Sequence, residues 1–222
     1  MEINAAALWL NTTFASFDLG VARAVHSLAE AAEGFFTPFF NFISLLGKYG
    51  IFLIIVALLL TIYKPTRRFG TAMCFGLAIG TLLTNCVFKV FIARPRPFAD
   101  ETSEYYRIWK SVGMAMEHDK SFPSGHMTAA SSSSVALFLS SRKKKTGWLF
   151  LLFAVLMGIA RIYLGVHYTT DVIGGFLVGT LSAVIGYIIT NRLPDAYYAA
   201  DLPPAGLLKG ISGKKKGGKH CR

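Results

Sequence analysis

Five stretches of the chain contain no Asp, Glu, Lys or Arg: residues 49–63, 69–88, 123–141, 147–160 and 172–191. A water-soluble helical bundle would place a polar face on each such helix, and these segments have none. Crossing a bilayer as a helix takes about 20 apolar residues. Residues 69–88 and 172–191 reach that length outright, and 123–141 nearly does. The other two reach it when extended through residues 43–47 and 162–165. The pattern predicts an all-α, polytopic membrane helix bundle with five spans, leaving a sixth open to the N-terminal region. That region carries Asp18, Arg23, His26, Glu30 and Glu33 among Leu, Val and Phe, which suits helices lying at the membrane interface. No cleavable signal peptide is expected. The division that follows is interfacial helices over residues 1–45, a transmembrane domain over 46–192 and a basic cytoplasmic tail over 193–222, with no internal repeat.

Composition agrees with this pattern. Hydrophobic residues make up 53% of the chain and charged residues 16%, where a soluble domain carries about 25% charged. The three cysteines make no disulfide framework: Cys74 and Cys86 share one apolar segment and Cys221 is next to last.

A net charge of +11 suggests nucleic acid until it is mapped. Lys64, Arg67 and Arg68 fill one connection, Arg142 to Lys145 another, and seven more basic residues lie in the tail from Arg192 onward. With five spans all three regions fall on one side, which the positive-inside rule makes cytoplasmic. A tail beside anionic lipid is the reading adopted, and no nucleic-acid partner is expected. The loop over residues 93–122, with five basic and five acidic residues, falls on the outer side. Lys89, Arg96, His126, Arg161, His167 and Asp171 then collect at that outer face. One cation at a span end is usually a snorkelling anchor; two histidines, three cations and an aspartate together point to function.

In "SFPSGHMTAA", Pro123 suits the first turn of a helix. The backbone amides of Ser124, Gly125 and His126 behind it are free to form an anion site, to which Ser124 adds a hydroxyl. A helix start alone needs no histidine, so His126 places an imidazole beside any bound anion. In "KVFIARPRP", Pro95 and Pro97 end the second span and hold Arg94 and Arg96 in a stiff, extended segment near Lys89. Several cations at one place suit a phosphate. In "RIYLGVHYTTD", His167 and Asp171 are four apart and share a face if the chain is helical there. Asp171 could then hold one ring nitrogen of His167 and free the other as nucleophile or base, with Arg161 as a further cation.

Lys89 with Arg96-Pro97, Pro123-Ser124-Gly125-His126, and Arg161 with His167 and Asp171 resemble, in order and spacing, the three signature motifs of the type-2 phosphatidic acid phosphatases. These membrane lipid phosphatases share an active-site plan with vanadium-dependent haloperoxidases and bacterial acid phosphatases. The resemblance covers roughly residues 70–187, and Ala160 stands where the family often has Ser. It implies a metal-independent phosphatase. His167 would attack phosphorus and Asp171 would orient it. Lys89, Arg96, Arg161 and the Ser124–Gly125 backbone would hold phosphate oxygens, and His126 would protonate the leaving group and then activate water. Two histidines and an aspartate could instead ligate zinc, but the surrounding cations oppose a metal, so no metal or cofactor is expected. The implied substrate is a membrane lipid phosphate, either undecaprenyl pyrophosphate or phosphatidylglycerol phosphate, reached from outside the cytoplasm. A non-catalytic lipid-phosphate binding or transport protein is the alternative. Haloperoxidase activity would need bound vanadate, which nothing in the spans suggests. His26, His118 and His220 fall outside the constellation. The run Ser131 to Ser134 is read as supporting close helix packing. Tyr105, Tyr106 and Trp109 are read as either a lid or an interfacial anchor.

Overall fold

A computed structural model describes residues 4–200, and the tail residues Lys209 to Arg222 lie outside the described residues. Two helices precede the bundle, α1 (Ala5–Thr13) and α2 (Ala15–Ala31). Asn4 caps α1 by accepting from the amides of Ala6 and Ala7 at 2.8 and 3.2 Å. The first crossing run joins α3 (Thr37–Gly47) to α4 (Ile51–Ile62) through a kink at Tyr49 and Gly50, both at positive φ. The division drawn at 45/46 therefore falls inside α3. The second run is α5 (Arg67–Leu82), a π turn over Leu83–Phe88, and α6 (Lys89–Ile92). The 93–122 loop holds α7 (Glu104–Ser111). It leads to α8 (Gly125–Ser140), the single turn α9 (Lys144–Gly147), α10 (Leu149–Tyr163), α11 (Thr169–Arg192) and the short α12 (Asp195–Ala199).

Among the described residues three runs are long and apolar enough to cross a membrane: Thr37–Ile62, Lys64–Ile92 and Thr169–Arg192. The helices α8 and α10, of 16 and 15 residues, are shorter. The outward faces are apolar, with Leu58, Leu59, Val155, Leu177, Leu181 and Ile188 all exposed, as a protein dissolved in lipid requires.

The middle of the bundle is packed through small residues. α8 lies against both α5 and α11, and Ser131, Ser132, Ser133 and Ser134 are all buried there. Ser131 donates to the Met127 carbonyl at 2.8 Å, so its hydroxyl is satisfied within its own helix. A Cβ on Gly179 would stand 1.9 Å from the Ser131 hydroxyl, so α11 can approach α8 this closely only at glycine. At the end opposite the loop, Arg67 is buried and donates to the carbonyls of Thr61, Tyr197, Tyr198 and Ala200, tying α12 beneath α5.

Of Tyr105, Tyr106 and Trp109, the first two are half-buried and the third belongs to a core. Trp109 is buried, stacks on Phe98 at 4.6 Å between ring centroids and donates from its indole to the Ala115 carbonyl. It packs with Val112, Tyr163, Leu164 and Val166 in a small core beneath the loop. Gly165, at φ +65°, lies where an added Cβ would meet the Trp109 backbone at 3.0 Å. The turn from α10 to α11 therefore depends on glycine.

Candidate active site

The π turn over Leu83–Phe88 comes immediately before Lys89, adding a residue to the helix and changing which face Lys89 presents. α6 then ends at Ala93, which adopts the left-handed conformation and bonds back to the Lys89 carbonyl. Arg94 and Arg96 follow, each held extended by the proline after it. The two arginines part company. Arg96 reaches the centre of the site: one guanidinium nitrogen donates to His167 Nε2 at 2.9 Å and to the Val166 carbonyl at 2.8 Å, and its Nε donates to the Asp119 carbonyl at 2.9 Å. Arg94 turns behind it, toward Asp171 and α2.

α8 begins later than the pattern predicts: Ser124 is its N-cap and Gly125 its first residue, so Pro123 precedes the helix and does not stand in its first turn. Two further expectations about it change. The Ser124 amide is not free, because it donates to the Asp171 carbonyl at 3.0 Å and so ties the start of α8 to the start of α11. The Ser124 hydroxyl, fully buried, accepts from the Met127 amide at 3.4 Å and caps its own helix. The Gly125 and His126 amides have no protein acceptor among the described residues. A Cβ on Gly125 would come within 3.5 Å of Lys89 Nζ, and one on Gly47 would meet the His126 ring at 3.0 Å. α3 thus forms one wall of the site.

His167 and Asp171 meet, though not across a helical face. His167 precedes the helix, and Asp171 is the third residue of α11, reaching back to accept the Tyr168 amide at 3.0 Å. That return turn sets Asp171 Oδ2 3.4 Å from His167 Nδ1. Ser121 Oγ donates to the same carboxylate oxygen and lies 3.4 Å from His167 Nδ1. Because Arg96 donates to Nε2, that nitrogen accepts, which places the ring proton on Nδ1 facing Asp171. Arg161, also buried, donates to the Ser44 hydroxyl and to Glu117, while its Nε is buried with no partner among the described residues.

Lys89, Arg96, Gly125, His126 and His167 therefore border one cavity of about 470 Å³. Ser124 and Arg161 stand behind its wall. The loop supplies residues that the motif pattern does not reveal. Asp119 pairs with Lys89 and Arg96, and Glu117 pairs with Arg161 and lies 3.8 Å from Arg96 and 3.9 Å from His126 Nδ1. Each of the three motif cations thus holds a loop carboxylate. His118, expected outside the constellation, lines the same cavity. Burial pushes the Asp119 carboxyl up, but the hydrogen bond and charge of Lys89 and the charge of Arg96 outweigh it and hold the group below the ordinary aspartate range. Burial and the charges of Asp171 and Asp18 raise the Tyr168 phenol to about 12 against the opposing effect of Arg94. No group of three His, Cys, Asp or Glu that could hold a metal ion occurs among the described residues.

Residues 69–195 match the PAP2 superfamily. The chain is 35% identical over 156 residues to an undecaprenyl-diphosphatase of Sulfolobus acidocaldarius, covering 69% of this chain and 70% of that protein. It is 39% identical over 126 residues to phosphatidylglycerophosphatase B of Bacillus subtilis, covering 52% of this chain and 56% of that one. The fold is similar to the crystal structure of a transmembrane PAP2-type phosphatidylglycerolphosphate phosphatase from Bacillus subtilis. The TM-score is 0.65 at 27% identity, covering 85% of this chain and 92% of that one.

Proposed function

This chain belongs to the PAP2 superfamily and is a multi-pass membrane phosphatase, and from that premise we propose that it hydrolyses an isoprenoid diphosphate through a phosphohistidine on His167. The observation that carries the reading is His167 itself. It lies at a cation-lined cavity with Asp171 facing Nδ1 and Arg96 donating to Nε2. In the first step the Arg96 N–H that occupies the Nε2 lone pair shifts to a phosphate oxygen, and the freed lone pair forms a bond to phosphorus as the bond from phosphorus to the leaving oxygen breaks. His126 gives that oxygen a proton. In the second step a water oxygen bonds to phosphorus, the bond to Nε2 breaks, and His126 takes the water proton. Lys89, Arg96 and the Gly125 amide hold phosphate oxygens, and Arg161 joins them once phosphate displaces Glu117. Ser124 acts through the cap that fixes Gly125. The positive charge a metal would bring is carried by these side chains, so activity is expected to survive chelation.

The isoprenoid diphosphate is favoured by the archaeal relative, whose name states that substrate class and whose length this chain matches more fully than the glycerolipid phosphatase from Bacillus. An opening on the extracytoplasmic side is supported by Lys64, Arg67, Arg68, Arg142, Lys143 and Arg192, which all lie at helix ends opposite the cavity. A cysteine placed in the 93–122 loop should react with an impermeant thiol reagent in intact cells; labelling only at position 143 would reverse the orientation. Purified protein should release phosphate fastest from prenyl diphosphates, and a preference for phosphatidylglycerol phosphate would replace the substrate. Protein quenched and worked up at neutral-to-alkaline pH, where a phosphohistidine survives, should retain labelled phosphate in the wild type and not in His167→Ala. Label in both would reassign the nucleophile.

A further inference from the structure

The motifs leave a buried charge beside Asp171 unexplained. Arg94 is 1% exposed and belongs to none of them. It donates to Asp171 Oδ1 at 2.7 Å, to Asp18 Oδ2 at 3.0 Å, to Thr170 Oγ1 at 2.7 Å and to Asn11 at 2.8 Å, with its guanidinium 3.8 Å from the centroid of the Tyr168 ring. Asp18, also 1% exposed, accepts in turn from the Thr170 amide and hydroxyl, both at 2.8 Å. It thereby caps the first turn of α11 from outside that helix. Asn11 and Asp18 come from α1 and α2, which precede the residues matched to the superfamily.

We propose that Arg94 and Asp18 form a positioning pair for the His167–Asp171 couple, delivered to the active site by the N-terminal helices. Two physical arguments carry it. The first concerns geometry. Asp171 Oδ2 is shared by Ser121, the Tyr168 amide and the His167 ring, so the carboxylate plane must be set from its other oxygen. Arg94 holds that oxygen, and Asp18 holds both Arg94 and the adjacent backbone. The second concerns charge. A lone arginine against Asp171 would neutralise the carboxylate that His167 needs as positive charge develops on its ring. With Asp18 on the other side of Arg94, the three side chains sum to one negative charge. They reach neutrality only when the imidazole becomes cationic. Neither residue touches the phosphate, so both act through Asp171.

This inference rests on His167 being the nucleophile, and the test separates the two. Full-length protein in detergent micelles, in excess over a radiolabelled short-chain prenyl diphosphate, is followed through a single turnover. The rate constant at saturating protein reports the transfer step in competent molecules and is insensitive to the misfolded fraction. Arg94→Met is expected to slow that step by about 10²-fold, the scale of a small misplacement of reacting groups. The half-saturating concentration should stay within about twofold, because no phosphate contact is lost. Arg94→Lys should recover most of the rate by restoring the cation. Asp18→Asn, which keeps the bulk and the acceptor for Thr170, should slow the step less, and it serves alone if Arg94→Met does not fold. An Asp18→Asn rate constant equal to wild type, or a loss in Arg94→Met that appears as weaker half-saturation, would overturn the proposal. Wild-type turnover without label on His167 would instead overturn the nucleophile on which it rests.

Discussion

Two clusters of ion pairs meet at His167, and they are built differently. Behind the histidine, Asp18, Arg94 and Asp171 have side chains 0–1% exposed and every polar atom is directed at a protein partner. In front of it, Lys89, Arg96 and Arg161 hold Asp119 and Glu117, whose side chains are 50% and 22% exposed. The cations of the two clusters are similar; the carboxylates are not. A pair with both members buried cannot be opened without leaving a charge in a poor solvent, so the rear cluster is permanent. A carboxylate half in water can leave at little cost, so the front cluster can exchange its loop oxygens for those of a phosphate. One site thus uses the same chemistry twice, once to fix a geometry and once to hold an anion site until substrate arrives.

The largest expected effect breaks the rear cluster at its functional end. Asp171→Asn keeps the shape but removes the charge facing His167. It should lower kcat by on the order of 10³–10⁴-fold, as loss of the orienting carboxylate does in other catalytic triads. Inhibition by phosphate should be nearly unchanged. The second effect is on stability. Arg94→Met leaves two buried carboxylates unpaired and should cost about 3–5 kcal/mol in denaturant unfolding. Asp119→Asn breaks a half-exposed pair and should cost no more than about 1 kcal/mol. Equal losses would erase the distinction between the clusters. Third, Asp119→Asn removes a competitor from the anion site, so inhibition by vanadate should tighten by about two- to fivefold, which is what up to about 1 kcal/mol gives. Weaker inhibition would make Asp119 a support of the site and not a stand-in for substrate. The smallest effect is with pH. The Asp119 carboxyl is depressed in the folded protein, so its pairing contributes fully above the ordinary aspartate value of about 3.9 and is lost as pH falls through the lower, folded value. Protection of the 112–121 segment from proteolysis by an acid-stable protease should therefore persist from neutral pH to about 4. Loss of protection at pH 6 would contradict that order.

Much of this was legible along the chain. Charge-free runs mark the helices of the bundle, because lipid removes the option of exposing charge and the requirement is local to each segment. Lys89, Arg96, His126, His167 and Asp171 were also legible, because each lies where a helix starts or ends and helix ends leave a sequence trace: Pro95, Pro97, Pro123, Gly125. Local chemistry decided those positions, and the sequence states it.

What the tertiary structure alone decided is which charges are paired. Asp18 reads as one more polar residue of an interfacial helix, with the same local context as Glu30, which is exposed. Only the docking of α2 against the start of α11 buries it beside Arg94. Arg94 and Arg96 sit in identical Arg-Pro dipeptides, yet one faces the cavity and the other the rear cluster. Glu117 and Asp119 look like ordinary loop acids until the loop folds back over Lys89 and Arg161, and the Ser124 amide looks free until Asp171 arrives opposite it. In each case the deciding partner is distant along the chain, 76 residues for Arg94 and Asp18 and 44 for Glu117 and Arg161. Burial and pairing are properties of two segments at once, so neither segment carries them by itself.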